Sequence, residues 1–169
     1  RRNKEEANMP TTPAPTPDLG AAPGGDVSRV GTELTFTDRL GSAAARWGIG
    51  RMHYVVAPGL YRVGEPGPDA PVLVTANYKM SFDRLRCELG GLDAWILVLD
   101  TKGINVWCAA GKGTFGTDEL VGRIAAVHLQ ERVSHRTLIL PQLGAVGVAA
   151  RVLRGAGMRA VQHVPEGRA

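Results

Sequence analysis

From residue 71 onward the apolar positions follow two rhythms in turn. VLVTAN (72–77), AWILVLD (94–100) and RTLILP (136–141) are short, continuous apolar runs rich in β-branched and aliphatic residues. Runs of this kind predict strands buried on both faces, as parallel sheets require. Between the first two, YKMSFDRLRCELGGL brings Met80, Leu85 and Leu89 near one helical face and stops at Gly90-Gly91. TDELVGRIAAVHLQ predicts a second helix, with Thr117 as N-cap and Asp118 and Glu119 in the first turn, where negative charge suits the helix dipole. AVGVAARVLRGAG predicts a third helix with a glycine stop, and MRAVQHV a fourth strand. The alternation predicts an α/β fold: a Rossmann-like parallel sheet flanked by helices, with right-handed crossovers. Ligands of such sheets sit beyond the carboxyl ends of the strands. Here those ends are Thr75-Ala76-Asn77, Asp100-Thr101-Lys102 and Pro141-Gln142-Leu143-Gly144.

Upstream the signal is weaker. A short helix is expected around Phe36–Trp47, broken by Gly41, and MHYVV (52–56) and Leu60–Val63 alternate as strands. Residues 1–27 are rich in proline, threonine and alanine and show no apolar period, so they read as a disordered tail or linker. Residues 28–169 then form one domain.

Composition narrows the function classes. The chain has 169 residues and a formal net charge of +4. Beyond the tail, 14 of the 17 basic residues are arginine, spread without a dense run. This surplus suits an anionic ligand or an acidic partner, but lacks the basic clusters and interleaved aromatics of nucleic-acid binders. No apolar run approaches the ~20 residues that span a bilayer, and the first residues carry no hydrophobic signal segment. The chain therefore reads as soluble. Its two cysteines, Cys87 and Cys108, form no CxxC, so neither a zinc site nor an iron–sulfur cluster is expected from this chain alone. Both read as reduced, in an intracellular setting.

Candidate chemistry concentrates in GINVWCAAGKGTFGTDEL, Gly103 to Leu120. GKGTFG (Gly111–Gly116) matches GxGxxG, but about ten residues separate it from the strand end at Asp100, whereas a dinucleotide fingerprint joins strand to helix directly. A flexible joint between helices is the competing reading. The segment is no P-loop either: Val106 stands where the first glycine belongs, and glycine follows Lys112. His53, His128, His135 and His163 are scattered without metal-ligand spacing. In NVWCAAGK, Asn105 can cap a short helix that Gly111 ends. Cys108 then takes the third helical position, where the dipole favours a thiolate and Lys112 one turn on adds to it. Ala109, Ala110 and Gly111 leave the turn nearly bare, able to lie against a broad flat ligand. The alternative is that Cys108 is a small buried hydrophobe, as most free cysteines are.

At Asn105–Lys112 the sequence resembles the corrinoid protein of microbial mercury methylation, whose hallmark is N-(V/I)-W-C-A-(A/G)-G-K; all eight positions fit. PVLVTANYKMSFDRLR, LDAWILVLDTKGI, GKGTFGTDEL and LPQLGAVGV fit as well, so the likeness runs from about Phe36 to the C-terminus. The family's corrinoid domain is similar to that of the large subunit of the corrinoid iron–sulfur protein of the acetyl-CoA pathway. The resemblance implies a cobalamin cofactor held base-off under a cap helix, with Cys108 as lower axial ligand to cobalt. Asn105, Val106, Trp107, Ala109, Ala110, Gly111, Lys112, Gly113 and Thr114 would line the corrin. Thr75, Asn77, Gln142, Leu143 and Gly144 would hold it and its nucleotide tail from the strand ends.

The implied activity is corrinoid-dependent transfer of methyl, as a carbanion equivalent, from Co(III) to Hg(II), giving methylmercury. The implied partners are a ferredoxin-like protein with two [4Fe–4S] clusters as reductant and a folate-linked methyl donor. The family also carries a C-terminal membrane domain; this chain stops before one, which implies a cytoplasmic domain of a protein at the inner face of the membrane. The alternative activity is that of a methyl-carrier corrinoid protein of acetyl-CoA metabolism with a non-mercury acceptor. A third reading is a non-enzymatic nucleotide- or thiol-switch domain.

Overall fold

A computed structural model describes residues 27–47 and 54–163. Residues 1–26 of the expected tail, Met52 and His53 lie outside the described residues. Five strands form one sheet: β1 (Gly59–Val63), β2 (Val72–Ala76), β3 (Ala94–Leu99), β4 (Thr137–Pro141) and β5 (Arg159–His163). Their order is β1-β3-β2-β4-β5. The pairs β3–β2, β2–β4 and β4–β5 are parallel. β1 is the exception: it pairs antiparallel with β3, from Gly59 opposite Val98 to Val63 opposite Ala94. The sheet is thus mixed and mostly parallel, and the fold is α/β and Rossmann-like.

β3 is the centre of hydrophobic burial. All six of its residues are buried, and they alternate between two cores. Trp95, Leu97 and Leu99 join Val72, Val74, Leu138 and Leu140 on one face, under α4 (Thr117–Ala126), α5 (Leu129–Arg132) and α7 (Ala150–Gly155). Ile96 and Val98 join Tyr61 and Val63 on the other, where α2 (Lys79–Glu88) contributes Phe82. A two-residue period buried on both sides is what the continuous apolar run announced.

The buried face of α2 is not the expected one. Phe82, Asp83 and Arg86 turn inward, followed by Leu89, while Met80 and Leu85 are only half-buried. The two charges are tolerated because they are paired. Arg86 Nε donates to Asp83 at 2.8 Å and Lys79 Nζ donates to the same carboxylate at 2.7 Å. Both cations also reach Asp38 of α1 (Phe36–Arg46), at 2.8 and 2.6 Å. Arg86 further donates to the carbonyls of Gly31 and Glu33. The N-terminal arm is therefore fastened by ionic and polar bonds in addition to the packing of Val27 and Val30 on the two cores. Thr35 caps α1 in a reciprocal capping box with Asp38.

Gly41 does not break α1. The helix runs through it because Tyr54 lies against that face: a Cβ on Gly41 would fall 2.7 Å from the ring, and the Tyr54 hydroxyl donates to the Asp38 carbonyl. The expected strand at 52–56 reduces, among its described residues, to an isolated bridge from Val55 to Tyr78.

Two further boundaries shift. Thr117 is the first helical residue of α4 and Gly116 occupies the cap. The Thr117 hydroxyl is engaged elsewhere, accepting the Ala149 N–H at 2.7 Å. The expected single helix over 145–157 is split into α6 (Gln142–Ala145) and α7, the turn between them passing Gly147. Cys87 is half-buried, Cys108 is exposed, and both are free.

Candidate functional site

The chain reverses direction across the sheet between β2 and β4: β3 lies on one side of β2, and β4 and β5 on the other. That reversal is a topological switch point, where open α/β sheets hold ligands. The carboxyl ends of β2 and β4 flank it, at Ala76-Asn77 and Pro141-Gln142. The short helix α3 (Val106–Gly111) sits here, packed against α6.

α3 forms as its sequence predicts. Asn105 is its N-cap, and the Asn105 side-chain oxygen accepts the Cys108 N–H at 2.9 Å. Ala109 is fully buried in the core, so the helix is anchored by a methyl group. Trp107 (69% exposed) and Cys108 face outward. The buried-hydrophobe reading of Cys108 is overturned by this geometry: the buried residue of the turn is its neighbour. Lys112 is the exposed C-cap, and Gly113 follows in the left-handed region at φ 77. Thr114 is half-buried and its hydroxyl donates to the Ala109 carbonyl. GKGTFG is a helix-to-helix joint between α3 and α4, not a strand-to-helix turn. The dinucleotide fingerprint lacks its structural context.

The α6 side adds Leu143 and Val146, 56% and 81% exposed. Gln142 is exposed as well, whereas Gly144 is buried against Val106 and Phe115. The other predicted positions behave differently. Thr75 is 3% exposed and shares the strand face of Leu73, which packs with the α2 core, opposite to α3. Asn77 is buried and its side-chain oxygen is occupied by protein donors.

Two residues escaped the sequence reading. Phe115, fully buried, is the plug on which α3 and α6 both rest. Its signal was present: it is the only aromatic residue in a glycine-rich run. Glu119 was read only as a dipole partner. Its carboxylate also accepts the Asp100 N–H at 2.9 Å and two bonds from Arg123, tying the end of β3 to α4. Beside it, burial works to raise the Asp100 pKa, but hydrogen bonds from the Lys102 side chain and backbone outweigh it and lower it.

Among the described residues, no three His, Cys, Asp or Glu side chains converge on a metal-sized point. Cys108 is a single soft donor. That donor set does not suit a bare zinc or iron ion. It would suit a corrinoid, which would bring most of its cobalt's ligands itself and need a single soft donor from the protein. The surroundings agree: Trp107 on α3 and Leu143 and Val146 at α6 are exposed apolar side chains, with Lys112 and Gln142 as polar ones, and Gly111 and Gly113 have open space around them. Among the described residues no helix is long and apolar enough to cross a membrane.

Over 103 residues, 60% of this chain, the sequence is 37% identical to the acetyl-CoA decarbonylase/synthase complex subunit gamma of Archaeoglobus fulgidus. It is 35% identical over 88 residues to the gamma subunit of Methanopyrus kandleri and 33% over 97 residues to that of Methanocaldococcus jannaschii. These stretches cover 51% and 56% of this chain. The chain spans about a fifth of the length of these relatives, 21%, 19% and 20% in turn. Residues 50–157, most of the described domain, match the family of the CO dehydrogenase/acetyl-CoA synthase delta subunit, and the chain belongs to that family.

Proposed function

We propose that this domain holds a corrinoid at the switch point and takes part in methyl transfer, with Cys108 as the lower axial ligand to cobalt. The observation that carries the reading is the turn itself: an N-capped helix with Cys108 outward at its third position, set at the ligand end of the sheet. Bound there, the corrinoid would supply a cobalt centre able to carry a methyl group. The chain's part is to present a soft sulfur donor, hold it by the Asn105 cap, and lay Trp107, Leu143 and Val146 along the ligand.

Relatives named as subunits of acetyl-CoA decarbonylase/synthase complexes support the role of a methyl carrier with a non-mercury acceptor. One specific observation favours Hg(II) as acceptor instead. An exposed, capped cysteine at this position could hold cobalt through its sulfur, a soft and strongly donating atom, and a corrinoid so held would supply methyl in a form that an electrophile such as Hg(II) would accept. On either reading the chain requires a reductant, for which a ferredoxin-like protein with two [4Fe–4S] clusters is proposed, and a methyl source, for which a folate-linked donor is proposed. The setting proposed is the cytoplasm, with any membrane attachment lying outside the described residues.

The test is an anaerobic visible spectrum of the chain reconstituted with cobalamin, beside Cys108→Ala. A base-off spectrum with a thiolate feature that alanine removes supports the axial role. Methyl transfer assayed with Hg(II) against a thiol or carbonyl-branch acceptor then separates the two readings. Cobalamin bound identically by both proteins sinks the axial ligand, and no binding by either sinks the corrinoid reading.

A further inference from the structure

Asn77 follows the last residue of β2 and is 6% exposed. Its side-chain oxygen accepts two backbone hydrogen bonds, from the Thr101 N–H at 3.1 Å and the Gly103 N–H at 3.0 Å, and the Thr101 hydroxyl, whose single proton is shared with the Ile104 carbonyl, lies 2.9 Å from it. Its side-chain nitrogen donates to Asp100 at 3.3 Å. An amide oxygen has two lone pairs, so the two backbone donors leave none for a ligand. The backbone is committed too: the Asn77 N–H donates to the Leu99 carbonyl and the Asn77 carbonyl accepts the Val56 N–H.

The segment Asn77 grips is an unusual one. Lys102 and Gly103 are consecutive left-handed residues, at φ 57 and φ 71. A lysine there is disfavoured by the contact of its Cβ with the backbone, so its surroundings must hold it. Asp100 accepts the Lys102 N–H at 3.0 Å, and the Thr101 hydroxyl donates to the Ile104 carbonyl at 2.6 Å. The next residue is Asn105, the cap on which the Cys108 N–H rests. The path from β2 to the sulfur-bearing turn therefore passes through the Asn77 amide.

We propose that Asn77 is a positioning residue for Cys108: its carboxamide fixes the 100–103 loop so that Asn105 caps α3 and Cys108 faces outward, without touching the ligand. For its spectroscopic consequence this rests on the corrinoid reading; for its structural one it does not. Two variants divide the roles of the amide. Asn77→Ala removes every bond of the carboxamide. Asn77→Asp keeps an oxygen acceptor, loses the donor to Asp100 and sets a second carboxylate beside it.

The deciding experiment is amide hydrogen exchange on the whole chain without cofactor, with Leu153→Ala as a control for general destabilisation in a fully buried position. Asn77→Ala is expected to speed exchange at the Cys108 amide at least tenfold, beyond the change at Leu138 in the central sheet. Leu153→Ala is expected to shift the two amides together. Asn77→Asp should lie between wild type and alanine, and move toward alanine as pH rises and the carboxylate ionises. With cobalamin added, the Cys108-dependent feature should weaken in Asn77→Ala while the cofactor stays bound. A native Cys108 exchange rate in folded Asn77→Ala overturns the proposal. Should Asn77→Ala not fold, a native rate in Asn77→Asp at neutral pH overturns it equally. If wild type and Cys108→Ala bind cobalamin with the same spectrum, the axial role of Cys108 fails and the exchange rates judge Asn77 alone.

Discussion

The side-chain oxygen of Asn105 receives the N–H of Cys108 at 2.9 Å, so the residue that starts the turn also holds the residue that gives the turn its chemistry. α3 has six residues, too few to be helical without help from its cap and its packing. Asn105→Ala is expected to cost about 1 kcal/mol. The loss should be local. Carbon chemical shifts of Val106–Gly111 should move toward coil values while the sheet stays native, and Asn105→Ser or Asn105→Asp should restore most of the helix. Native shifts in the alanine variant would mean that packing on Phe115 alone holds the turn.

The support beneath that turn has no spare room. A Cβ on Gly144 would fall 2.7 Å from the Phe115 ring and 2.9 Å from a Val106 methyl, and one on Gly147 would fall 2.2 Å from the Phe115 backbone oxygen. A ring can tilt, whereas a backbone carbonyl held by its neighbours moves far less. Gly144→Ala is therefore expected to destabilise by about 1–3 kcal/mol, in the range of other overpacked sites, and Gly147→Ala by more. Urea unfolding of both variants checks the order. Phe115→Leu should relieve part of the Gly144→Ala penalty and none of the Gly147→Ala penalty.

Much of this architecture was legible in the chain. The apolar runs at 72–77, 94–100 and 136–141 became β2, β3 and β4 within a residue or so, because a strand buried on both faces, as β3 is throughout, leaves little place for polar residues. The Asn105 cap was legible because its oxygen acts three residues along the same chain. What escaped depends on distant partners. Thr117 looks like a cap until Ala149, 32 residues away, takes its hydroxyl. Asp83 and Arg86 look like solvent positions until Asp38 arrives from another helix. Asn77 reads as a ligand contact at a strand end until the 100–103 loop folds onto it. The antiparallel β1 is invisible for a related reason, since a continuous apolar strand carries no record of its neighbour's direction.

Gly41 offers a test in which helix propensity and packing oppose each other. Glycine inside a helix is worse than alanine by about 1 kcal/mol, so Gly41→Ala should stabilise α1 taken alone. In the folded chain the new methyl meets the Tyr54 ring at 2.7 Å. The expected outcome is net destabilisation in the wild-type background and net stabilisation in a Tyr54→Ala background. Thermal unfolding of the four proteins of this cycle isolates the contact. Equal effects of Gly41→Ala in both backgrounds would show that Tyr54 does not set the choice of glycine.

The ionic fastening of α1 predicts how stability responds to acid. Burial works to raise the Asp38 pKa, but hydrogen bonds from Lys79 and from Thr35 outweigh it and hold it at about 2, against an ordinary 3.8. A carboxylate whose pKa is lowered by folding stabilises the fold above its unfolded pKa, and that contribution is lost as pH falls through the folded value. The window is therefore about pH 4 down to pH 2, and the contribution is at most about 2 kcal/mol, less what solvent screening of the pair removes. At the other end, burial works to lower the Lys79 pKa, but its bonds to Asp38 and Asp83 outweigh it and raise it above 10.5. Its contribution is present below that value and fades as pH climbs through the raised one. Wild type and Asp38→Asn should therefore differ by a constant amount between about pH 5 and pH 9 and converge toward pH 2. Chemical denaturation at several pH values measures this directly. A difference that persists unchanged to pH 2 would show that the shape of the Asp38 side chain, rather than its charge, fastens the arm.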